Sequence, residues 1–173
     1  HCESSAASDV YKRQNYDGDS EGDVCDDDDD NDGVNDPIDS CSQGNIGWTS
    51  TTFTDHDGDG CQDSTSEDLD DDNDTVPDLS DVCQLGIVGW ISNSITDYDG
   101  DGCQDIGEDM DDDNDGVPDV NDRCQTGEMG WTPTPGTDYD SDGCRDISED
   151  LDDDNDGIID TIDVQCQKGD LGW

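Results

Sequence analysis

Apolar residues arrive singly along this chain, so neither the 3.6-residue period of an amphipathic helix nor the alternation of a strand is sustained. Two kinds of apolar position recur instead. One is an aliphatic inside an acidic string (Val34, Val76, Val117, Ile158); the other is an apolar residue two places before a tryptophan (Ile46, Val88, Met129, Leu171). The tryptophans Trp48, Trp90, Trp131 and Trp173 each close a Cys-x-x-Gly-x-x-Gly-Trp string, and they fall 42, 41 and 42 residues apart. A fixed period of this length predicts a tandem array whose units contact mainly their neighbours. The copies run 15–53, 54–95, 96–136 and 137–173, the last stopping where the others continue into a Ser/Thr-rich stretch.

Residues 4–14 look like the in-frame translation of a sequencing adapter, so 1–14 are set apart as an artefact in place of a native Ser/Ala-rich leader. On that reading the true N-terminus, with any signal peptide, lies outside the sequence. Residues 15–173 keep eight of the nine cysteines.

Charge changes the picture most. The 173 residues carry 52 acidic and 5 basic side chains, a net charge of −47, and only 27% are hydrophobic. At about 25 cal/mol per Å² of apolar burial against about 1.5 kcal/mol per ordered residue, such a chain cannot be held by an apolar core. A field of this sign repels nucleic acid and anionic membranes and attracts multivalent cations. No apolar run reaches the length of a membrane span in this fragment.

Each copy holds two acidic strings with carboxylates at positions 1, 3, 5, 9 and usually 12, and a residue at position 7 whose backbone carbonyl completes the set. Alternate residues of a curled loop can turn six to eight oxygens onto one hard cation at about 2.3–2.6 Å, which is the demand of calcium. The first loops offer Asn15, Asp17, Asp19, Asp23 and Asp26; Asp55, Asp57, Asp59, Cys61 and Asp63; Asp97, Asp99, Asp101, Cys103, Asp105 and Glu108; and Asp138, Asp140, Asp142, Cys144, Asp146 and Glu149. The second loops offer Asp28, Asp30, Asp32, Val34, Asp36 and Asp39; Asp70, Asp72, Asp74, Val76, Asp78 and Asp81; Asp111, Asp113, Asp115, Val117, Asp119 and Asp122; and Asp152, Asp154, Asp156, Ile158, Asp160 and Asp163. Eight strings in register, most with Gly at position 6, set this chain apart from a solvated acidic tail.

Only Asp109 and Met110 separate Glu108 from Asp111, and the longer spacer after Asp122 carries Gly127, Gly130, Pro133, Pro135 and Gly136, so no EF-hand helices fit. Zinc is disfavoured by the lack of Cys-x-x-Cys spacing. A two-metal hydrolase would need one asymmetric site with a base or nucleophile, whereas here one saturated loop recurs without it. The expected protein is therefore not an enzyme.

The stretch Asn15–Cys41, NYDGDSEGDVCDDDDDNDGVNDPIDSC, resembles thrombospondin type 3 repeats, and the likeness extends at the level of motif over 15–173. The later copies depart from that pattern with Gly-Cys-Gln/Arg-Asp in place of Gly-Asp-x-Cys and with the Gly-x-x-Gly-Trp insert. The resemblance implies an extracellular, irregular, calcium-wrapped chain in which disulfides join neighbouring motifs.

Cysteine spacing speaks independently. Cys41 to Cys61, Cys83 to Cys103 and Cys124 to Cys144 are each 20 apart while the other intervals vary, so these three pairs are the expected bridges, with Cys25 and Cys166 taking partners from missing flanks. Disulfides place the protein outside the cytosol. His56 replaces Tyr16, Tyr98 and Tyr139 and is expected to be an exposed packing ring; the tryptophans, to make one apolar contact per repeat against the disulfide, with a carbohydrate platform as the alternative. Asn73-Asp74-Thr75 fits a glycosylation acceptor inside a metal loop and is expected to be unused.

The fold class expected is thus an elongated calcium- and disulfide-stabilised tandem repeat array with little regular secondary structure. Its expected function is a calcium-binding spacer or stalk of a secreted or cell-surface protein, serving adhesion through an unidentified ligand and joined to neighbouring domains of a longer chain. A calcium-buffering or mineral-interacting acidic protein, or an accessory region of an extracellular enzyme, is the alternative.

Overall fold

The computed structural model describes residues 14–163 and 166–169. Among them no helix or strand forms, and the backbone is a succession of turns and bends, as expected of a chain whose apolar residues keep no period. The adapter-like leader apart from Gln14, and Leu171 and Trp173 of the fourth string, lie outside the described residues. The curl of each second loop is written locally. Position 4 is Asn31, Asn73, Asn114 or Asn155, all at φ between 53° and 57°, and position 6 is at φ 101° in Gly33 and Gly116, 90° in Gly157 and 86° in Thr75. Asn and Gly tolerate this left-handed region, and Thr does not.

The chain divides into two compact units, His1–Ile91 and Ser92–Trp173. Burial in each is inverted relative to an ordinary domain. Asp30, Asp32, Asp55, Asp72 and Asp74 of the first unit and Asp97, Asp113, Asp138 and Asp154 of the second are almost inaccessible, while Leu79, Phe53 and Val120 are 100%, 94% and 89% exposed. The only buried apolar side chains among the described residues are Cys61, Cys103 and Cys144. Of the apolar residues two places before the tryptophans, Ile46, Val88 and Met129 are about half exposed. Trp131 lies under the Arg145 guanidinium, 5.8 Å from the ring centroid. Carboxylates fill the interior because their oxygens can be satisfied there by backbone N–H groups and cations, whereas the scattered aliphatics find no apolar partner face.

Two of the expected bridges are in place. Cys41–Cys61 and Cys124–Cys144 each close a 20-residue separation at a Cα distance of 5.2 Å. Beside each bridge the second loop of one repeat bonds the first loop of the next: Ser40 N–H donates to Asp59 O at 2.7 Å, and Arg123 N–H to Asp142 O at 2.8 Å. Cys83, Cys103 and Cys25 are also disulfide-bonded, and Cys166 is free and exposed. The expectation that Cys25 takes its partner from a flank concerns residues outside those described. Cys25 occupies position 11 of its first loop, not position 7 as Cys61 does, so the 20-residue rule never applied to it.

Candidate metal centres

In every second loop each carboxylate spends one oxygen on the backbone. Position 1 accepts from the N–H at position 6 (Gly33 to Asp28, 3.1 Å; Thr75 to Asp70, 3.0 Å; Gly116 to Asp111, 3.0 Å; Gly157 to Asp152, 2.9 Å). Position 3 accepts from position 5, position 5 from position 7, and in the first three repeats position 12 from the cysteine two places on, as in Cys41 N–H to Asp39 at 2.6 Å. These short Asx turns follow from the spacing alone. At position 3 the second oxygen accepts the N–H of a later glycine, whereas at most of positions 1, 5 and 12 it is left facing inward. Asp28 Oδ1, Asp32 Oδ2 and Asp39 Oδ2 are buried without a donor, as are Asp70 Oδ1 and Asp81 Oδ2, Asp111 Oδ1, Asp115 Oδ2 and Asp122 Oδ2, and Asp152 Oδ1. One oxygen from each of Asp28, Asp30 and Asp32 lies within 4.8 Å of the others, and Asp70, Asp72 and Asp74 repeat the grouping. Buried carboxylate oxygens turned toward each other call for a cation or for bound protons, and a hard divalent cation satisfies several at once, so these residues fit calcium.

The first loops are built differently. Asp55 and Asp97, at position 1, are saturated by protein donors: Asp55 accepts from the N–H of Gly58, Asp59 and Gly60 and from Ser50 Oγ, and Asp97 from Gly100, Asp101, Gly102 and Ser92. Asp138 accepts from Asp142 and Gly143 N–H. Position 5 holds the N–H of the buried cysteine, Cys61, Cys103 or Cys144. Asp55, Asp57 and Asp59 group within 4.8 Å, as do Asp17, Asp19 and Asp26. Each first loop is stitched to the second by the position-4 asparagine: Asn31 donates to Asp17, Asn73 to Asp57, Asn114 to Asp99 and Asn155 to Asp140. The Asn73 amide is thus committed to carboxylates.

Sequence register hid several members. Asp26 was assigned by counting from Asn15, but its counterparts Asp68, Asp109 and Asp150 fall beyond position 12. In all four repeats this residue accepts the N–H two places on, at 2.9–3.2 Å. Asp68, Asp109 and Asp150 each leave Oδ2 buried without a donor. Aligning the copies on the second loops, where Asp-x-Asp precedes the string in each, would have exposed them. Glu149, expected at position 12, accepts from Arg145 N–H at 3.4 Å and reaches back toward Gly127 of the preceding repeat. Glu108 accepts likewise from Gln104 N–H at 3.3 Å. Glu67, one residue further along, accepts from Gln62 N–H at 3.3 Å and Asn45 N–H at 2.6 Å.

A third grouping lies between the two loops. Asp63, Asp68 and Asp71 bring oxygens within 4.8 Å, and Asp78 joins them because Asp71 N–H donates to it at 3.0 Å. The position-9 residues expected to serve separate loops therefore meet here, beside Asp71, which spacing had not singled out. Asp29, Asp112 and Asp153 bond Asp36, Asp119 and Asp160 in the same way. Asp29, Asp71, Asp112 and Asp153 all leave Oδ1 buried without a donor.

The position-2 ring is more than packing. Tyr16, Tyr98 and Tyr139 donate their hydroxyls to the carbonyls of Gly44, Gly127 and Gly169 at 2.8–2.9 Å. His56 Nε2 meets Gly86 O at 2.8 Å, and since a carbonyl only accepts, Nε2 carries the proton. The N–H of each glycine donates to position 3 of the second loop, as Gly127 to Asp113 at 2.8 Å. One peptide unit is thereby clamped between both loops. A Cβ at Gly127 would lie 2.8 Å from Cys124 O, 2.8 Å from Glu149 and 2.9 Å from Asp113. Gly127→Ala should cost about 1–3 kcal/mol, read as a lower thermal midpoint at saturating calcium; an unchanged midpoint would refute the clamp.

The aspartates that shift are all pushed one way, while the exposed Glu128 is held low by Arg145. Burial first, with crowded like charges adding to it, pushes Asp39, Asp57, Asp81, Asp99, Asp122 and Asp140 up to about 6, and Asp71, Asp112 and Asp153 up to about 7. A folded carboxylate that holds its proton more tightly than the unfolded one adds stability below the unfolded value and loses it as pH rises through the folded one. The calcium-free fold should therefore gain stability as pH falls from about 7 toward about 4. Calcium must displace those protons, so its affinity should fall over the same range. Titration calorimetry in buffers of different ionisation enthalpy should show proton release near neutrality; zero release would contradict the crowding.

Thr75 gives a cleaner test. Its φ of 86° strains a β-branched residue by about 1–3 kcal/mol. Thr75→Gly should tighten calcium binding in the second repeat several-fold, and no tightening would mean that the strain is relieved elsewhere.

Among known families, residues 15–46 match the model described as thrombospondin type 3 repeat. These repeats are extracellular, structural calcium-binding modules. No curated protein matches the chain.

Proposed function

We propose that residues 15–173 form a calcium-stabilised spacer of an extracellular protein, built from the four repeats 15–53, 54–95, 96–136 and 137–173. The observation that carries this reading is the inward-facing set of donorless carboxylate oxygens, repeated in register and flanked by disulfides. In each repeat the second loop holds one ion, the first loop with its Asp26-type residue holds another, and the inter-loop grouping holds a third. The reading is structural because positions 1, 3 and 5 of every second loop are also tied to backbone N–H groups, as Asp28, Asp30 and Asp32 are, which fixes them as ligands of a repeated loop and not as members of one asymmetric site. A spacer needs its ions locked, whereas a buffer needs them exchangeable, and neither disulfides nor a 41–42-residue register serves a buffer.

Scattering from calcium-loaded chains of two, three and four repeats is the test. A spacer adds a constant increment to the maximum dimension per repeat. Globular scaling, or calcium uptake well beyond three ions per repeat without stiffening, would move the reading to a buffering protein.

A further inference from the structure

The residue immediately before each clamped glycine is Gln43, Leu85, Thr126 or Lys168, so only the fourth repeat places a charge there. In the first repeat Gln43 Nε2 donates to Asp29 at 3.0 Å and to Asp23 at 3.5 Å, both members of the inter-loop grouping. In the fourth repeat the same position places the Lys168 ammonium on Asp146, with Asp153 and Asp160 also within its field, and 5.8 Å from the Tyr139 ring centroid. Asp153, at the heart of that grouping, is 6% exposed, and its Oδ1 has no protein donor. Leu85 and Thr126 bring no charge to the corresponding place.

We propose that this position sets the calcium threshold of the inter-loop centre, and that Lys168 serves the fourth repeat as a tethered counter-ion that calcium must displace. The inference rests on the calcium reading above. A single ammonium on a flexible stem neutralises one carboxylate of four, so the centre stays available to a divalent ion, but only at higher concentration. Lys168 remains 40% exposed and has room to swing out. Gln43 orders the first repeat's centre without neutralising it, and the centres beside Leu85 and Thr126 meet calcium unopposed. The array is thus graded, with the fourth repeat filling last.

Native mass spectrometry of the full chain across a calcium titration counts the ions directly. Lys168→Leu should carry one more ion than the unaltered chain at about 1 mM calcium, near the upper end of the range for extracellular modules; the midpoint for that last ion should fall about tenfold. The converse change, Leu85→Lys, should remove one ion at the same concentration and guards against a variant that merely misfolds. Identical ion counts for both variants and the unaltered chain would overturn the inference while leaving the calcium reading intact. An unaltered chain that takes up no calcium would instead overturn the reading on which it rests.

Discussion

Chelation of calcium should expand this chain to the dimensions of an unfolded polymer and abolish its turn-defined structure in one cooperative step. Two like charges 4 Å apart repel by about 4 kcal/mol at an effective dielectric of 20, and each second loop gathers several. Asp30, Asp72, Asp113 and Asp154 are almost wholly buried, so water cannot screen them. With no apolar core to oppose that repulsion, binding and folding become one event. A site at tenfold its Kd contributes about 1.4 kcal/mol, so the eight loops alone supply roughly 11 kcal/mol, comparable to the whole stability of an ordinary domain. Scattering and circular dichroism in chelator and in calcium will check this, and unchanged dimensions would refute it.

Loss of a repeat-joining disulfide should have the next largest effect. Cys41–Cys61 and Cys124–Cys144 close loops of 20 residues, worth about 3 kcal/mol each in the chain-entropy model. They also hold position 12 of one repeat's second loop, Asp39 or Asp122, against Gly60 or Gly143 of the next repeat's first loop, where a Cβ would collide with the carboxylate. Replacing Cys124 and Cys144 together by serine should therefore raise the calcium concentration needed for folding and loosen the junction between the third and fourth repeats. Peptide mapping of the oxidised protein should recover both bridges, together with Cys83–Cys103 as the spacing expects. A dominant Cys61–Cys83 product would show that the register is wrong.

Much of this was legible before any coordinates. Carboxylates two residues apart on a curled loop converge because the geometry is local, and the Asn and Gly at positions 4 and 6 supply the curl. Cysteines at a constant spacing of 20 marked two of the bridges because equivalent loops in successive repeats bring equivalent cysteines to bonding distance. The lack of apolar period likewise foretold the absence of helices and strands among the described residues.

Tertiary structure decided what connects the loops. Asp71 with Asp63, Asn73 with Asp57, His56 with Gly86 and Tyr98 with Gly127 are separated by 8 to 30 residues, and no spacing rule within one string relates them. Counting from the first loop even misplaces the Asp26 series, because two residues separate position 9 from this aspartate in the first repeat, three in the third and fourth, and four, by one further insertion, in the second. The stacking of the loops absorbs that insertion and returns Asp68 to the place of Asp109. Sequence by itself therefore determined which residues could face a cation within each loop. Folding determined which loops share one, because that depends on how separate turns pack, and packing here is governed by buried charge seeking a counter-charge, not by an apolar pattern that could be read along the chain.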